Sequence, residues 1–193
     1  MVARQLIVGG HDIQPQRYPY FVSIDKNNGV IVNGALIAPD VVLSAGHIAL
    51  NHMDNLTLKV GPYAVHKNES FAETIPVVHW AVPSNWSQNP EGYFHEDYLI
   101  LKLAYSSTHA PVKLNRDFAV PYPGQHVIMT GLGWLNASYL SPASIVQEVE
   151  LVAISNTECE MASDPSRNLT YKGKIDGSMI CTKAPPNTTR DGW

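Results

Sequence analysis

A chain of 193 residues, 45% hydrophobic and 16% charged, carries enough apolar material for one domain with a sizeable core, which excludes a disordered or low-complexity protein. Thirteen basic against seventeen acidic residues give a formal net charge of -4 without blocks of like charge. That balance favours neither a nucleic-acid backbone nor an anionic membrane as partner, and no apolar run approaches the roughly 18 residues that a bilayer span requires.

Met1–Gln5 hold one charge and no apolar stretch long enough for a secretory signal. Beyond them, short apolar or alternating segments recur between Gly, Pro, Asn and Asp, which predicts an all-β architecture. Tyr20–Ile24 reads as a strand, Val30–Val32 runs on to Ala35–Ile37, and Pro39-Asp40 turns the chain into Val41–Leu43. Leu56, Leu58 and Val60 alternate with Thr57 and Lys59, so one face of that strand is buried and the other wet. Tyr98–Leu103, Val127–Thr130 and Val146–Leu151 continue the series. Between Leu103 and Val120, a polar stretch with Ser106, Ser107, Thr108 and Pro111 reads as a linker between two halves. Ser155, followed three residues later by Glu158, has the spacing of a capping box and predicts a short helix through Met161.

Hydrolysis of an unstrained amide at neutral pH needs a nucleophile whose proton leaves as it attacks, and histidine has a suitable pKa for taking it. His47 stands where an apolar strand gives way to a turn, in Leu43-Ser44-Ala45-Gly46-His47. Asp97 heads the apolar run Tyr98–Leu103, and a carboxylate there stays ionised in a buried place only if something donates hydrogen bonds to it. The pair would make two members of a catalytic triad. Asn-x-Ser/Thr occurs at Asn55, Asn68, Asn85, Asn136, Asn168 and Asn187, where chance would give about one or two matches, and this excess predicts an extracellular, glycosylated protein. Cys159 and Cys181 are either one disulfide of an oxidising compartment or two buried thiols.

Several segments, in order over nearly the whole chain, resemble the trypsin/chymotrypsin family of serine endopeptidases. Ile7-Val8-Gly9-Gly10 is similar to the mature amino terminus of that family, Asn33–Ile37 to its Gly-Gly-Ser-Leu-Ile, and Leu43–His47 to its Leu-Thr-Ala-Ala-His. Asp97–Leu103 resembles Asp-Ile-Ala-Leu-Ile-Lys-Leu, and Thr130–Gly133 resembles Thr-Gly-Trp-Gly. Val146–Glu148 is similar to the strand that follows, and Met179-Ile180-Cys181 to the family's Met-Ile-Cys. The resemblance implies two Greek-key β-barrels, the first over residues 7–105 and a partial second over 118–193, in a single peptidase domain. It also implies His47 as general base, Asp97 as its orienting carboxylate, and a Cys159–Cys181 disulfide in the second half. Protein or peptide substrates follow from it, with no cofactor, no metal, no nucleic acid or membrane partner, and a monomeric, secreted protein.

Departures from the pattern sharpen these expectations. The family's Gly-Asp-Ser-Gly-Gly, which carries the nucleophilic serine, does not occur before Trp193, so the second barrel is expected to be incomplete and residues 1–193 to lack peptidase activity. A non-catalytic pseudoprotease, acting as a protein-binding or inhibitor-like module, is the alternative. Val32 and Ile48 stand where the family bridges two cysteines, and an apolar pair fills the same space. Gly46 replaces the usual alanine before the histidine, which costs backbone entropy but no chemistry. Leu6 precedes Ile7, with Arg4 too early for an activation cut after a basic residue, and Arg190–Trp193 could open the segment to the nucleophile, with Asp191 at the base of a pocket for Lys or Arg. A metal site drawn from His47, His52 and His95-Glu96-Asp97 lacks ligand spacing. His66, His79, His109 and His126 read as surface or loop residues, and Trp80, Trp86 and Trp134 as packing residues, though Trp86 could also line a substrate groove.

Overall fold

A computed structural model describes residues 7–25, 31–50, 53, 56–88, 94–132, 143–164, 169–188 and 191–192. Gly133, Trp134, His52, Arg190 and the acceptors Asn55, Asn136 and Asn168 lie outside the described residues, as does the side chain of Asp191. Contacts divide the chain into two compact units. One gathers Asp12–Leu114 with Ala143–Val146, and the other holds the remainder.

The first unit is a closed barrel of six antiparallel strands: β1 (Phe21–Asp25), β2 (Ile31–Ala38), β3 (Val41–Ser44), β4 (Thr57–Val60), β5 (Glu73–Ala81) and β6 (Leu99–Leu103). Its order around the barrel is β6-β3-β2-β1-β4-β5, with β5 returning to β6. The period of two decides what faces inward. Val22, Ile24, Leu58, Val60, Leu99, Leu101 and Leu103 point to the interior with Leu36, Val42 and Ile75, all fully buried or nearly so. Each such side chain removed from water is worth about 1.5–3 kcal/mol, and closure leaves the barrel without a free edge. Gly34 stands where β2 meets β3, because a Cβ there would lie 2.9 Å from Val42 Cγ1 and 3.0 Å from the Leu43 carbonyl oxygen.

Strand β5 has no counterpart in the sequence expectation. It pairs on one side with β4, from Thr57↔Pro76 to Val60↔Glu73, and on the other with β6, from Ile100↔Ala81 to Leu103↔Val77. Trp80, expected to pack, is half exposed on this strand. His109 lies in a loop, as expected, with its Nε2 enclosed without a hydrogen-bond partner and its ring over Gly61, where a Cβ would meet the ring at 2.6 Å.

Lys59, on β4, turns its ammonium into the loop that follows. It donates to the carbonyls of Ala64 at 2.9 Å, Val65 at 3.4 Å and Lys67, with Glu69 Oε2 at 3.9 Å. Glu69 in turn accepts the backbone N–H groups of Tyr63 and Ala64.

In the second unit β7 (His126–Gly131) pairs with β8 (Gln147–Ile154) along its whole length, and β9 (Cys181–Lys183) pairs with the end of β8. β8 is buried at six of eight positions, the polar Gln147 and Glu148 among them. The expected helix is α1 (Asn156–Met161), with the Ser155 Oγ accepting the Glu158 N–H at 3.1 Å. The Glu158 carboxylate engages Lys183 at 2.6 Å, so one half of the capping box forms and the other side chain ties the helix to β9. Cys159 and Cys181 are joined as a disulfide, and of the two states left open by their count the bridge is the one present.

Candidate active site

His47 lies in a one-turn 3-10 helix, Gly46–Leu50, that begins just after β3. Ile48 anchors this turn by burying its side chain in the barrel core, and Val32 packs partly against the same core. The two positions that hold cysteines in the resembling family therefore contribute to one apolar cluster here. Asp97 stands two residues before β6, and the pairing Leu99↔Ser44 between β6 and β3 brings it alongside the histidine turn. The two residues are fifty positions apart in sequence and meet through this register.

The Asp97 carboxylate receives two hydrogen bonds from His47. Its Oδ1 accepts the His47 backbone N–H at 2.7 Å, and its Oδ2 stands 2.7 Å from His47 Nδ1. An ionised carboxylate only accepts, so opposite Asp97 Oδ2 the ring presents Nδ1–H and Nε2 is left as the accepting nitrogen. Side-chain exposures of 41% for His47 and 29% for Asp97 put the imidazole within reach of a ligand and the acid behind it.

Two aromatic residues complete the surroundings. The Trp86 indole N–H donates to Asp97 Oδ1 at 3.4 Å. Phe94 stacks on Trp86 at 5.8 Å between centroids, with an interplanar angle of 13°, and lies 5.5 Å from the His47 ring. The sequence suggested Trp86 only as a packing or groove residue, and Phe94 escaped notice because a lone aromatic before an acidic pair has no period to read. Gly46 also acquires a contact: a Cβ there would lie 2.6 Å from Trp86 Nε1. Among the described residues no group of three or more His, Cys, Asp or Glu side chains gathers as a metal-binding set.

An imidazole held by a carboxylate, with its other nitrogen free to accept, is an arrangement that can take up and return a proton. A family model described as Trypsin matches residues 7–192, and the chain belongs to the trypsin family of serine proteases. Granzyme B(G,H) of Mus musculus is 27% identical over 208 residues, covering 97% of this chain and 81% of that protein. Glucanase inhibitor protein 2 of Phytophthora sojae is 28% identical over 188 residues, covering 93% of this chain and 62% of its own length. The solved structure of neuropsin, a serine protease expressed in the limbic system of mouse brain, superposes with a TM-score of 0.77 at 21% identity, over 94% of this chain and 77% of that one. The fold is therefore the all-β, trypsin-like one that the sequence led us to expect.

Proposed function

We propose that this chain carries the base and its orienting acid of a serine endopeptidase acting on protein or peptide substrates through an acyl-enzyme. His47 Nε2 takes the proton of an attacking serine and returns it to the leaving amine, while Asp97 holds the ring in the Nδ1–H tautomer. The observation that carries the reading is the double grip of one carboxylate on His47, through ring and backbone at 2.7 Å each. No Gly-Asp-Ser-Gly-Gly occurs among the 193 residues, so turnover needs a nucleophile outside them, and residues 1–193 alone are inactive.

Joining residues 1–193 to the nucleophile-bearing C-terminal segment of a trypsin-family enzyme tests this. A folded chimera should react with a fluorophosphonate probe and lose roughly a thousandfold or more in rate with His47→Ala, whereas residues 1–193 alone should take up no label. A chimera that labels equally well without His47 would remove the base role.

Secretion and glycosylation belong to the same proposal. Asn68, Asn85 and Asn187, the three acceptors among the described residues, are all exposed, as oligosaccharide attachment requires. A glycosidase should shift the mobility of the protein made through a secretory pathway, and no shift would remove this support. A second reading is favoured by the likeness to a protein named as a glucanase inhibitor: a binding module that keeps the scaffold without chemistry. Among the described residues no helix is long and apolar enough to cross a membrane.

A further inference from the structure

Resting on the reading of His47 and Asp97 as a base and its orienting acid, we propose that Trp86 is a positioning residue for that pair, and that position 46 is glycine so that the indole can reach the carboxylate. Asp97 Oδ1 receives the His47 backbone N–H and Oδ2 faces Nδ1, so the plane of the carboxylate must be held for both contacts to persist. The Trp86 N–H, at 3.4 Å from Oδ1, is a third donor on that group and opposes its rotation about the Cβ–Cγ bond.

The chain aims the indole by three local devices. A turn closes with the Trp86 backbone N–H donating to the Pro83 carbonyl at 3.1 Å. The two residues that follow, Ser87–Gln88, form a short antiparallel ladder with Phe94–His95. That ladder starts one residue after Trp86 and ends two before Asp97, which brings the two side chains together. Phe94, from the far strand of the ladder, covers the indole face in a near-parallel stack.

Gly46 supplies the space. An added Cβ would stand 2.6 Å from Trp86 Nε1, 2.9 Å from Trp86 Cδ1 and 3.1 Å from Asp97 Oδ1. Its backbone does not occupy the left-handed region, so conformation does not demand glycine and the contact does. Glycine is also a poor residue for a helical turn, and its presence in Gly46–Leu50 is accounted for by the indole that closes over it.

The test reads the His47 tautomer. In the 15N-labelled chain at alkaline pH, where the imidazole is neutral, long-range 1H–15N correlations measure the ratio of Nδ1–H to Nε2–H forms. The intact chain should favour Nδ1–H. Trp86→Phe retains a ring against Phe94 and deletes only the donor, and should lower that ratio about threefold or more. Gly46→Ala should do the same in the parent chain yet change the ratio by less than about 1.5-fold in the Trp86→Phe background, where the smaller ring leaves room. Solvent exchange of the Trp86 indole proton should accelerate about tenfold in Asp97→Ala.

A Trp86→Phe ratio equal to that of the parent chain would overturn the proposal and leave Trp86 as packing. Equal effects of Gly46→Ala in both backgrounds would overturn the pairing of glycine with indole. If Gly46→Ala does not fold, the Trp86→Phe ratio and the indole exchange rate decide. A parent chain dominated by Nε2–H would be a different failure: it would sink the His47–Asp97 reading itself, and the role of Trp86 with it.

Discussion

Lys59→Met asks whether the ammonium holds the loop after β4. Methionine matches lysine in length and keeps the apolar stem, so the substitution removes the charge and its three donors with little change in volume. The carbonyls of Ala64, Val65 and Lys67 lose their donor, and Glu69, with 9% of its side chain exposed, loses the ammonium beside it. Breaking one member of a buried ion pair costs about 3–5 kcal/mol. Lys59 keeps 16% exposure, so water can reach part of the vacated site, and the lower end, about 3 kcal/mol, is expected. Burial pushes the Lys59 pKa down more than Glu69 raises it, so the site holds the ammonium against a desolvation penalty. The damage therefore comes from what is left unpaired, and Lys59→Met/Glu69→Gln should be less harmful than the sum of its two single changes. Urea unfolding gives the stabilities, and amide exchange over residues 61–70 locates the loss. A Lys59→Met protein within about 0.5 kcal/mol of the parent, or strict additivity in the double variant, would refute the reasoning.

Glu73 provides an acid-sensitive counterpart. Burial pushes its carboxyl up, but the Ser107 and Thr108 hydroxyls and the Thr108 N–H, with the nearby His109, outweigh that and hold it below its ordinary 4.5. A depressed folded pKa means that the native state binds fewer protons than the unfolded chain, so the contribution is complete above about pH 4.5 and is lost as pH falls through the folded value. Glu73→Gln should flatten the acid limb of the urea midpoint against pH, and an unchanged limb would assign it to other groups. The Cys159–Cys181 bridge spans 22 positions, for which chain entropy predicts about 3 kcal/mol; Cys159→Ala/Cys181→Ala should lose about that much in urea, and a loss under about 1 kcal/mol would contradict the model. Ile48→Ala, which empties a core position under the histidine turn, should cost about 2–5 kcal/mol and bring exchange of the His47 backbone N–H forward with it. A stability loss that leaves that exchange untouched would show that Ile48 does not anchor the turn.

What was legible in the sequence was what is local. β4 carries its inward face as a written alternation, β1 and β6 are short apolar runs, and Ser155 with Glu158 announces a helix start within four residues. His47 and Asp97 were readable because each is flanked by its own strand, Val41–Ser44 and Leu99–Leu103. β5 was not, although it closes the barrel. It contains Pro76, buries only Ile75 fully and leaves Val78 and Trp80 half exposed, so its strand character comes from β4 and β6 on either side rather than from a pattern of its own. The partial enclosure of His109 was illegible for a related reason, since it depends on the turn at Gly61, far away in sequence.

The same distinction governs the site. A glycine read alone reports only the conformations it tolerates, and Gly46 adopts none that alanine could not share. A tryptophan read alone reports only bulk. Placed against each other by the Ser87–Gln88 and Phe94–His95 ladder and the β3–β6 register, the two residues constrain one another: the indole forbids a Cβ, and the missing Cβ admits the indole to Asp97. Substituting either one singly changes the environment of the carboxylate, whereas the matched pair of a smaller ring and an alanine can restore packing without restoring the donor. A protein that has exchanged both residues should therefore be as stable as this one while holding its histidine tautomer less firmly. Stability alone cannot select the tryptophan, and the hydrogen bond to Asp97 is the physical property that can.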